Sequence, residues 1–448
     1  MFAKICYNER QKNMSEVDMK QDIQALMDFL TRSVSPYHGV AEVLRILKDE
    51  GFEELPLTGD WQLAPGRKYR IDCRGTMAVA FTVGESFAPQ DGFRVAANHM
   101  DWPCFYIKPD PEQVSAGCLK LSVEPYGGLI HSTWMDRPLS CAGLVTLKGE
   151  KAMEPERRLF DFGRPLFTIP NLAIHMNREV NKGVALDPAK DLLPLAATVE
   201  KEFNKNGFFL KKVAESMGVA VEDILSFDLV LYNAEAPQLI GFDGELLSAP
   251  RLDNLTSAFA CLAGITGPQR KAGVNIAAFF DNEEVGSRTK TGADSDTLNY
   301  ITEKIACALG LDRAGYLNAL LSGFLLSCDV AHALHPNKME MYDNAVCALL
   351  NKGVTIKMNY SQKYATDAVG VGIVEGLCKA KGIAHQRFMN KAGSAGGGTL
   401  GKFTATNLSM RSADIGVPIL AMHSARELMG AKDQQTMNDL VSAFFAEA

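Results

Sequence analysis

The sequence predicts a layered α/β fold with a mainly parallel sheet, interrupted by an inserted, largely β segment. Two observations carry that reading. Strand-length apolar runs at residues 93–97, 274–280, 324–327 and 417–422 are separated in places by helical-looking stretches such as 254–265 and 367–379. Strands alternating with helices are the pattern of a sheet whose parallel strands are joined by covering helices. From about Trp102 to Gly244 the pattern changes to short β-prone pieces (119–123, 143–147, 166–169, 228–231) with more turn residues. The division expected is therefore 1–101 and 245–448 as two parts of one domain, with 102–244 inserted between them.

The flanking elements follow from spacing. Ser15 with Asp18 makes a cap-like start, and Ile23, Leu26, Met27 and Leu30 recur at helical intervals. Val40, Val43, Leu44 and Leu47 repeat the pattern, with Gly51 as the stop. Met437, Leu440, Val441 and Phe444 give an amphipathic helix near the C-terminus. Since the fold begins near Ser15, Met14 is the expected start and residues 1–13 an upstream extension.

Composition bounds the function. The 448 residues are 47% hydrophobic and 22% charged, as in ordinary globular proteins. A net charge of −7 gives no electrostatic footprint for nucleic acid. No run approaches the ~20 apolar residues of a membrane span. The ten cysteines form no C-x-x-C pair and mostly sit in apolar surroundings, which suits free thiols in a reducing compartment. Glu9, Arg10, Gln11 and Lys12 interrupt any secretory signal, so a cytoplasmic location is expected.

Chemistry gathers at the ends of the apolar runs. Residues 93–97 lead to His99 and Asp101, and 274–280 to Asp281-Asn282-Glu283-Glu284. Residues 324–327 lead to Asp329, His332 and His335, and 417–422 to His423. In an open α/β sheet ligands bind beyond the carboxyl ends of the strands, so four such ends can bring these groups to one rim. Asp253, just before a helix, can add another carboxylate. His, Asp and Glu without Cys suit one or two zinc ions, or manganese or cobalt. Asp101 lies on the same side of an extended backbone as His99 and can fix its tautomer. Of Glu283 and Glu284, one can bind metal while the other takes a proton from water. Each element alone reads more readily as a cap or an exposed turn; their coincidence at four strand ends does not. His175 and His385 read as structural. Gly396–Gly401 satisfies G-x-G-x-x-G, but Asp414 follows Gly401 by only 13 residues, so a glycine loop bordering a substrate pocket fits better than a dinucleotide site.

These motifs, in this order, resemble the M18 family of metallopeptidases, the aspartyl aminopeptidase and vacuolar aminopeptidase I group. The resemblance rests on Ser35-Pro36-Tyr37-His38, His99-Met100-Asp101-Trp102-Pro103-Cys104, Tyr126-Gly127-Gly128 and Ile169-Pro170-Asn171-Leu172-Ala173-Ile174-His175. It continues through Arg251-Leu252-Asp253-Asn254, Asp281-Asn282-Glu283-Glu284-Val285-Gly286-Ser287, Asp329-Val330-Ala331-His332 and Met422-His423-Ser424-Ala425-Arg426-Glu427. It implies a zinc-peptidase sheet with helices on both faces, a β-rich dimerisation insertion and a tetrahedral homododecamer. It implies two Zn2+ per subunit, with Co2+ or Mn2+ as substitutes, bridged by Asp253. His99 and Asp329 would complete one site, Glu284 and His423 the other. Glu283 would be the general base and Asp101 the support for His99, while His332, Lys357 and Tyr364 match positions that contact peptide substrates. Lys357 would meet an acidic N-terminal side chain. A broader specificity, or a non-catalytic assembly protein on the same scaffold, stays open at this point.

Overall fold

The computed structural model describes residues 16–447 apart from 201 and 395. The cap expected at Ser15 and the start expected at Met14 lie outside the described residues.

The run at Val274–Phe280 is buried along its whole length. Its side chains alternate between two cores. Ala277 and Phe279 pack with the helices Leu252–Thr266 and Asp433–Ala446; Val274, Ile276, Ala278 and Phe280 pack with Thr297–Ala308 and Arg313–Ser322. A strand covered on both faces has no solvated side, which is why it reads as a nearly continuous apolar run. Only Asn275 breaks it, and its buried amide donates to the Phe445 carbonyl at 2.8 Å. It lies in a nine-stranded sheet ordered Glu53–Glu54, Lys68–Cys73, Met77–Val83, Val274–Phe280, Phe93–His99, Phe324–Cys328, Arg411–Gly416, Val354–Met358, His385–Met389. Five of the eight pairings are parallel, and three are antiparallel. Helices therefore cover both faces of a mixed sheet that is parallel at its centre.

The helix stops and starts behave as their chemistry requires. Pro36–Asp49 ends where Gly51 takes φ +79°, and the Phe52 N–H bonds back to the Leu47 carbonyl at 2.9 Å. Ala368–Lys381 begins at Asp367, whose carboxylate accepts the Gly370 N–H at 2.7 Å.

Residues of the 102–244 segment build a separate six-stranded antiparallel sheet. Its order is Glu154–Asp161, Leu139–Lys151, Ile224–Asn233, Cys104–Ser115, Cys118–Tyr126, Leu195–Thr198. Phe105, Trp134, Leu139 and Phe160 of this segment belong to the same buried cluster as Leu252 and Phe259. The piece expected at 166–169 forms only isolated bridges at Phe167 and Thr168.

A third sheet corrects one expectation. The run at 417–422 is not a strand of the main sheet. Past Gly416 the chain crosses into a five-stranded sheet, ordered Gln238–Ile240, Leu246–Ala249, Glu427–Gly430, Pro418–Leu420, Ala331–His332. The crossing is tight. A Cβ on Gly416 would stand 1.7 Å from the Asp329 carbonyl oxygen, so only glycine fits there. Among the described residues no helix is long and apolar enough to cross a membrane, and every cysteine is free.

Candidate metal centre

Three adjacent parallel strands set one side of the site. Phe280 pairs with His99, and Phe324–Ser327 pair with Arg94–Ala97, so the three carboxyl ends come level. His99 ends its strand, Glu283 and Glu284 follow the second in a short 3-10 turn, and Asp329 follows the third. The five-stranded sheet supplies the other side: Asp253 comes just after Leu246–Ala249, and His423 just after Pro418–Leu420.

The five expected ligands meet. His99 Nε2 lies 3.5 Å from Asp253 Oδ1 and 3.6 Å from Asp329 Oδ1. His423 Nε2 lies 3.4 Å from Asp253 Oδ2 and 3.4 Å from Glu284 Oε2. Asp253 thus offers one oxygen to each histidine. Both imidazoles are held the same way, with Nδ1 at 3.0 Å from a backbone carbonyl, that of Asp101 for His99 and of Gly128 for His423. A carbonyl accepts only from an N–H, so Nδ1 carries a proton and Nε2 is the nitrogen that faces the cluster.

Asp101 does more than the spacing predicts. Its carboxylate is 3.3 Å from His99 Nδ1, slightly farther than its own carbonyl. It also accepts the Glu283 and Glu284 backbone N–H groups at 3.1 Å each, and the Tyr126 hydroxyl at 2.6 Å. Tyr126 in turn accepts from Asn282 at 2.9 Å. Asp101 therefore aims the turn that carries both glutamates. Glu427 plays the matching part across the site, accepting the Asp253 N–H at 3.0 Å and the His423 N–H at 2.8 Å. Tyr126 and Glu427 both stand inside motifs quoted above, yet nothing in their spacing assigns them to the site.

The cluster is built for cations. Burial opposes protonation of both histidines, but the carboxylates outweigh it. Asp101, Asp253 and Asp329 hold His99 well above the ordinary imidazole value, and Asp253 and Glu284 lift His423 to about 10. Burial also opposes ionisation of Asp253, and the two imidazoles outweigh it, keeping that carboxyl below its usual range. Burial pushes Glu283 up to about 8, and burial with Asp253 lifts Glu284 well above normal. So many carboxylates in one buried site require positive charge, which divalent ions provide more fully than a shared proton. Asp253 Oδ1 has no hydrogen-bond partner. Ligand atoms of His99, Asp253 and Asp329 lie within 4.8 Å of one another, as do those of Asp253, Glu284 and His423. The donor set fits zinc.

The three expected substrate contacts adjoin this cluster. His332 lines a cavity of about 190 Å³ with Met341, Tyr342, Phe388, Asn390 and Lys391. Lys357 is fully buried; its ammonium donates to the Val330 carbonyl at 3.0 Å, lies 3.7 Å from Asp329 Oδ2 and sits 5.2 Å from the centre of the Tyr364 ring. Ser394, two residues before the glycine loop, lines the same cavity, while the residues of Gly396–Gly401 do not; Asp414 is buried against Ser327 and Thr399 and so unavailable to a ribose. His175 is exposed on a loop, which corrects its reading as a structural histidine: the apolar stretch around it, Leu172, Ile174 and Met176, is itself exposed.

The family model described as aminopeptidase I zinc metalloprotease (M18) matches residues 29–445. The chain belongs to the M18 aminopeptidase family. A probable M18 family aminopeptidase 2 of Clostridium acetobutylicum is 40% identical over 95% of this chain and 100% of its own length. Aspartyl aminopeptidase 4 of Saccharomyces cerevisiae is 35% identical over 97% of this chain and 96% of its own. Among solved structures, one of the Ape4 and Nbr1 complex is 32% identical with a TM-score of 0.91, covering 96% of this chain and 86% of that one. The yeast mApe1 dodecamer is 27% identical with a TM-score of 0.82, covering 95% and 96%. The M18 chain described above is accordingly a metallo-aminopeptidase, a hydrolase that acts at peptide N-termini.

Proposed function

We propose that this aminopeptidase works with two zinc ions bridged by Asp253, and that it prefers acidic N-terminal residues. The division of the two Asp253 oxygens between His99 and His423 carries the two-ion reading. His99 and Asp329 would hold one ion, Glu284 and His423 the other, with Co2+ or Mn2+ as substitutes. When bound, zinc supplies Lewis acidity that polarises the scissile carbonyl and brings water within reach of a weak base.

The chain's own groups do the rest. Glu283 takes a proton from the attacking water and passes it to the departing amine. Asp101 keeps Glu283 in place through the backbone N–H bond and keeps His99 in its Nδ1–H form. His332, Lys357 and Tyr364 receive the N-terminal residue of the peptide, and the cations at this end of the site, Lys357 and Lys391, favour a carboxylate there. The 35% identity to an aspartyl aminopeptidase supports that preference. A broader specificity is the second reading, favoured by the bond Lys357 already makes to the Val330 carbonyl.

The same proposal takes 1–101 and 245–448 as the catalytic domain and 102–244 as a dimerisation domain. Assembly as a tetrahedral homododecamer is supported by likeness to a dodecameric aminopeptidase. The cytoplasm is the location proposed.

A panel of Asp-, Glu-, Lys- and Leu-initiated peptides tests the function. Chelation should abolish release from all of them, and zinc, cobalt or manganese should restore it with Asp and Glu fastest. Faster release of Leu would favour the broader specificity. Activity indifferent to chelation would reject the metal mechanism. Metal analysis giving one ion per chain at full activity would reject the pair.

A further inference from the structure

The glycine loop and Asp414 stand outside the metal centre, yet they meet beside the residues assigned to the substrate. Asp414 is 0% exposed. It stands in one row across four neighbouring strands: Ser327, Asp414, Lys357 and Phe388. Residues paired directly across strands point to the same face of a sheet, so the Asp414 carboxylate and the Lys357 ammonium share one side. Phe388, at the end of the row, lines the cavity that also holds His332.

The Asp414 carboxylate gathers three separate segments. Oδ1 accepts the Ser327 hydroxyl at 2.6 Å and the Thr399 hydroxyl at 2.5 Å. Oδ2 accepts the N–H of Ala365, the residue after Tyr364, at 2.5 Å. The Asp414 N–H donates to the Thr366 hydroxyl at 2.7 Å. The glycine loop is tied to the same segment directly: the Thr399 N–H donates to the Lys363 carbonyl at 3.2 Å, and the Lys363 ammonium to the Gly396 carbonyl at 3.1 Å. This packing also demands the last glycine of the loop, because a Cβ on Gly401 would stand 2.5 Å from Ser327 Oγ and 2.8 Å from Asp414 Oδ1. A buried carboxylate is unfavourable unless donors and a counter-charge meet it. Here the donors are these three groups, and Lys357 supplies the charge. A buried ion pair adds little net stability, so the arrangement is better explained by the directions it imposes.

We propose that Asp414 is a positioning residue for substrate recognition, holding Lys357 and the segment that carries Tyr364 against the glycine loop. It touches no substrate itself. The proposal rests on the reading of Lys357 and Tyr364 as substrate contacts, and its effect belongs to KM more than to kcat.

Steady-state kinetics of the metal-loaded enzyme on a Glu-initiated peptide test this. Thr399→Val keeps the shape of the side chain but removes the hydroxyl. It should raise KM about tenfold, the size of one hydrogen bond to a charged group, with a much smaller change in kcat. Thr399→Ser restores the hydroxyl and should restore most of the wild-type KM. Asp414→Asn keeps the volume but removes the charge facing Lys357, and should raise KM by at least as much as T399V. Wild-type KM in both T399V and D414N would overturn the proposal. So would a fall in kcat as large as the rise in KM, or T399S behaving as T399V, since either would make the role one of packing alone. Lys357→Gln separates this proposal from the reading beneath it. Wild-type KM in K357Q would remove Lys357 from the substrate contacts, whereas a raised KM in K357Q with none in D414N and T399V would overturn only the positioning role. The Thr399 pair keeps the test intact if D414N folds poorly.

Discussion

Two carboxylates near the metal cluster bind backbone rather than metal, and their loss should have different effects from the loss of Glu283. Asp101 holds the turn of Glu283 and Glu284, while Glu427 holds the backbone at Asp253 and at His423. In Glu427→Gln the amide presents one oxygen and one NH2, so one of those backbone N–H groups faces a donor. Outer partners of this kind are worth about 10–100-fold in metal affinity. E427Q is therefore expected to lose zinc to a competing chelator that much more readily, and to recover most of its turnover at saturating zinc. Glu283→Gln should do the reverse. Its metal content stays at the wild-type level while kcat falls about 10²–10⁴-fold, the usual share of a general base. Wild-type turnover in E283Q would remove Glu283 from its role.

At the level of strands and helices, legibility depended on burial. Val274–Phe280 could be read to the residue because both faces are covered and every side chain but Asn275 is apolar. The helix ends at Gly51 and Asp367 could be read because capping is local chemistry. The run at 417–422 could be recognised as extended, but its sheet could not, since pairing with Ala331–His332 and Glu427–Gly430 is set by distant chain. Tyr126 was invisible as a site residue for the same reason: it bonds Asp101 and Asn282, respectively 25 and 156 residues away. His99, Glu283, Glu284, Asp329 and His423 were legible because each follows an apolar run directly. The crossing at Gly416 gives a test at this scale. Gly416→Ala must displace the Asp329 carbonyl, because the added carbon would be 1.7 Å from its oxygen. G416A should fold less stably by about 1–3 kcal/mol, the usual cost of overpacking. It should also bind less zinc, measured by denaturant unfolding and metal analysis. Full zinc occupancy in a destabilised G416A would show that Asp329 does not depend on this contact.

Across the whole molecule, burial also shifts titrations away from the metal cluster, that of Asp433 among them. Asp433, at the start of the C-terminal helix, accepts the Asn351 and Gly353 backbone N–H groups at 2.7 and 2.8 Å. Burial nevertheless pushes its carboxyl up to about 7, against about 3.9 in an unfolded chain. The folded protein holds the extra proton between those values, so this contribution is complete below about pH 4 and is lost as pH rises through 7. Three units correspond to on the order of 4 kcal/mol. Thermal midpoints from pH 4 to 8 should therefore decline less steeply in Asp433→Asn than in wild type, whatever the absolute stability of the variant; parallel curves would contradict this. The two sheets meet at the turn after Cys118–Tyr126. Tyr126 reaches Asp101 and the Gly128 carbonyl orients His423, so one short turn from the six-stranded sheet touches both halves of the cluster. Miniaturising this peptidase by excising 102–244 would therefore strip out part of its active centre along with the excess length. A trimmed version has to graft the 126–128 turn back onto the remaining scaffold, in register with the proposed metal ligands.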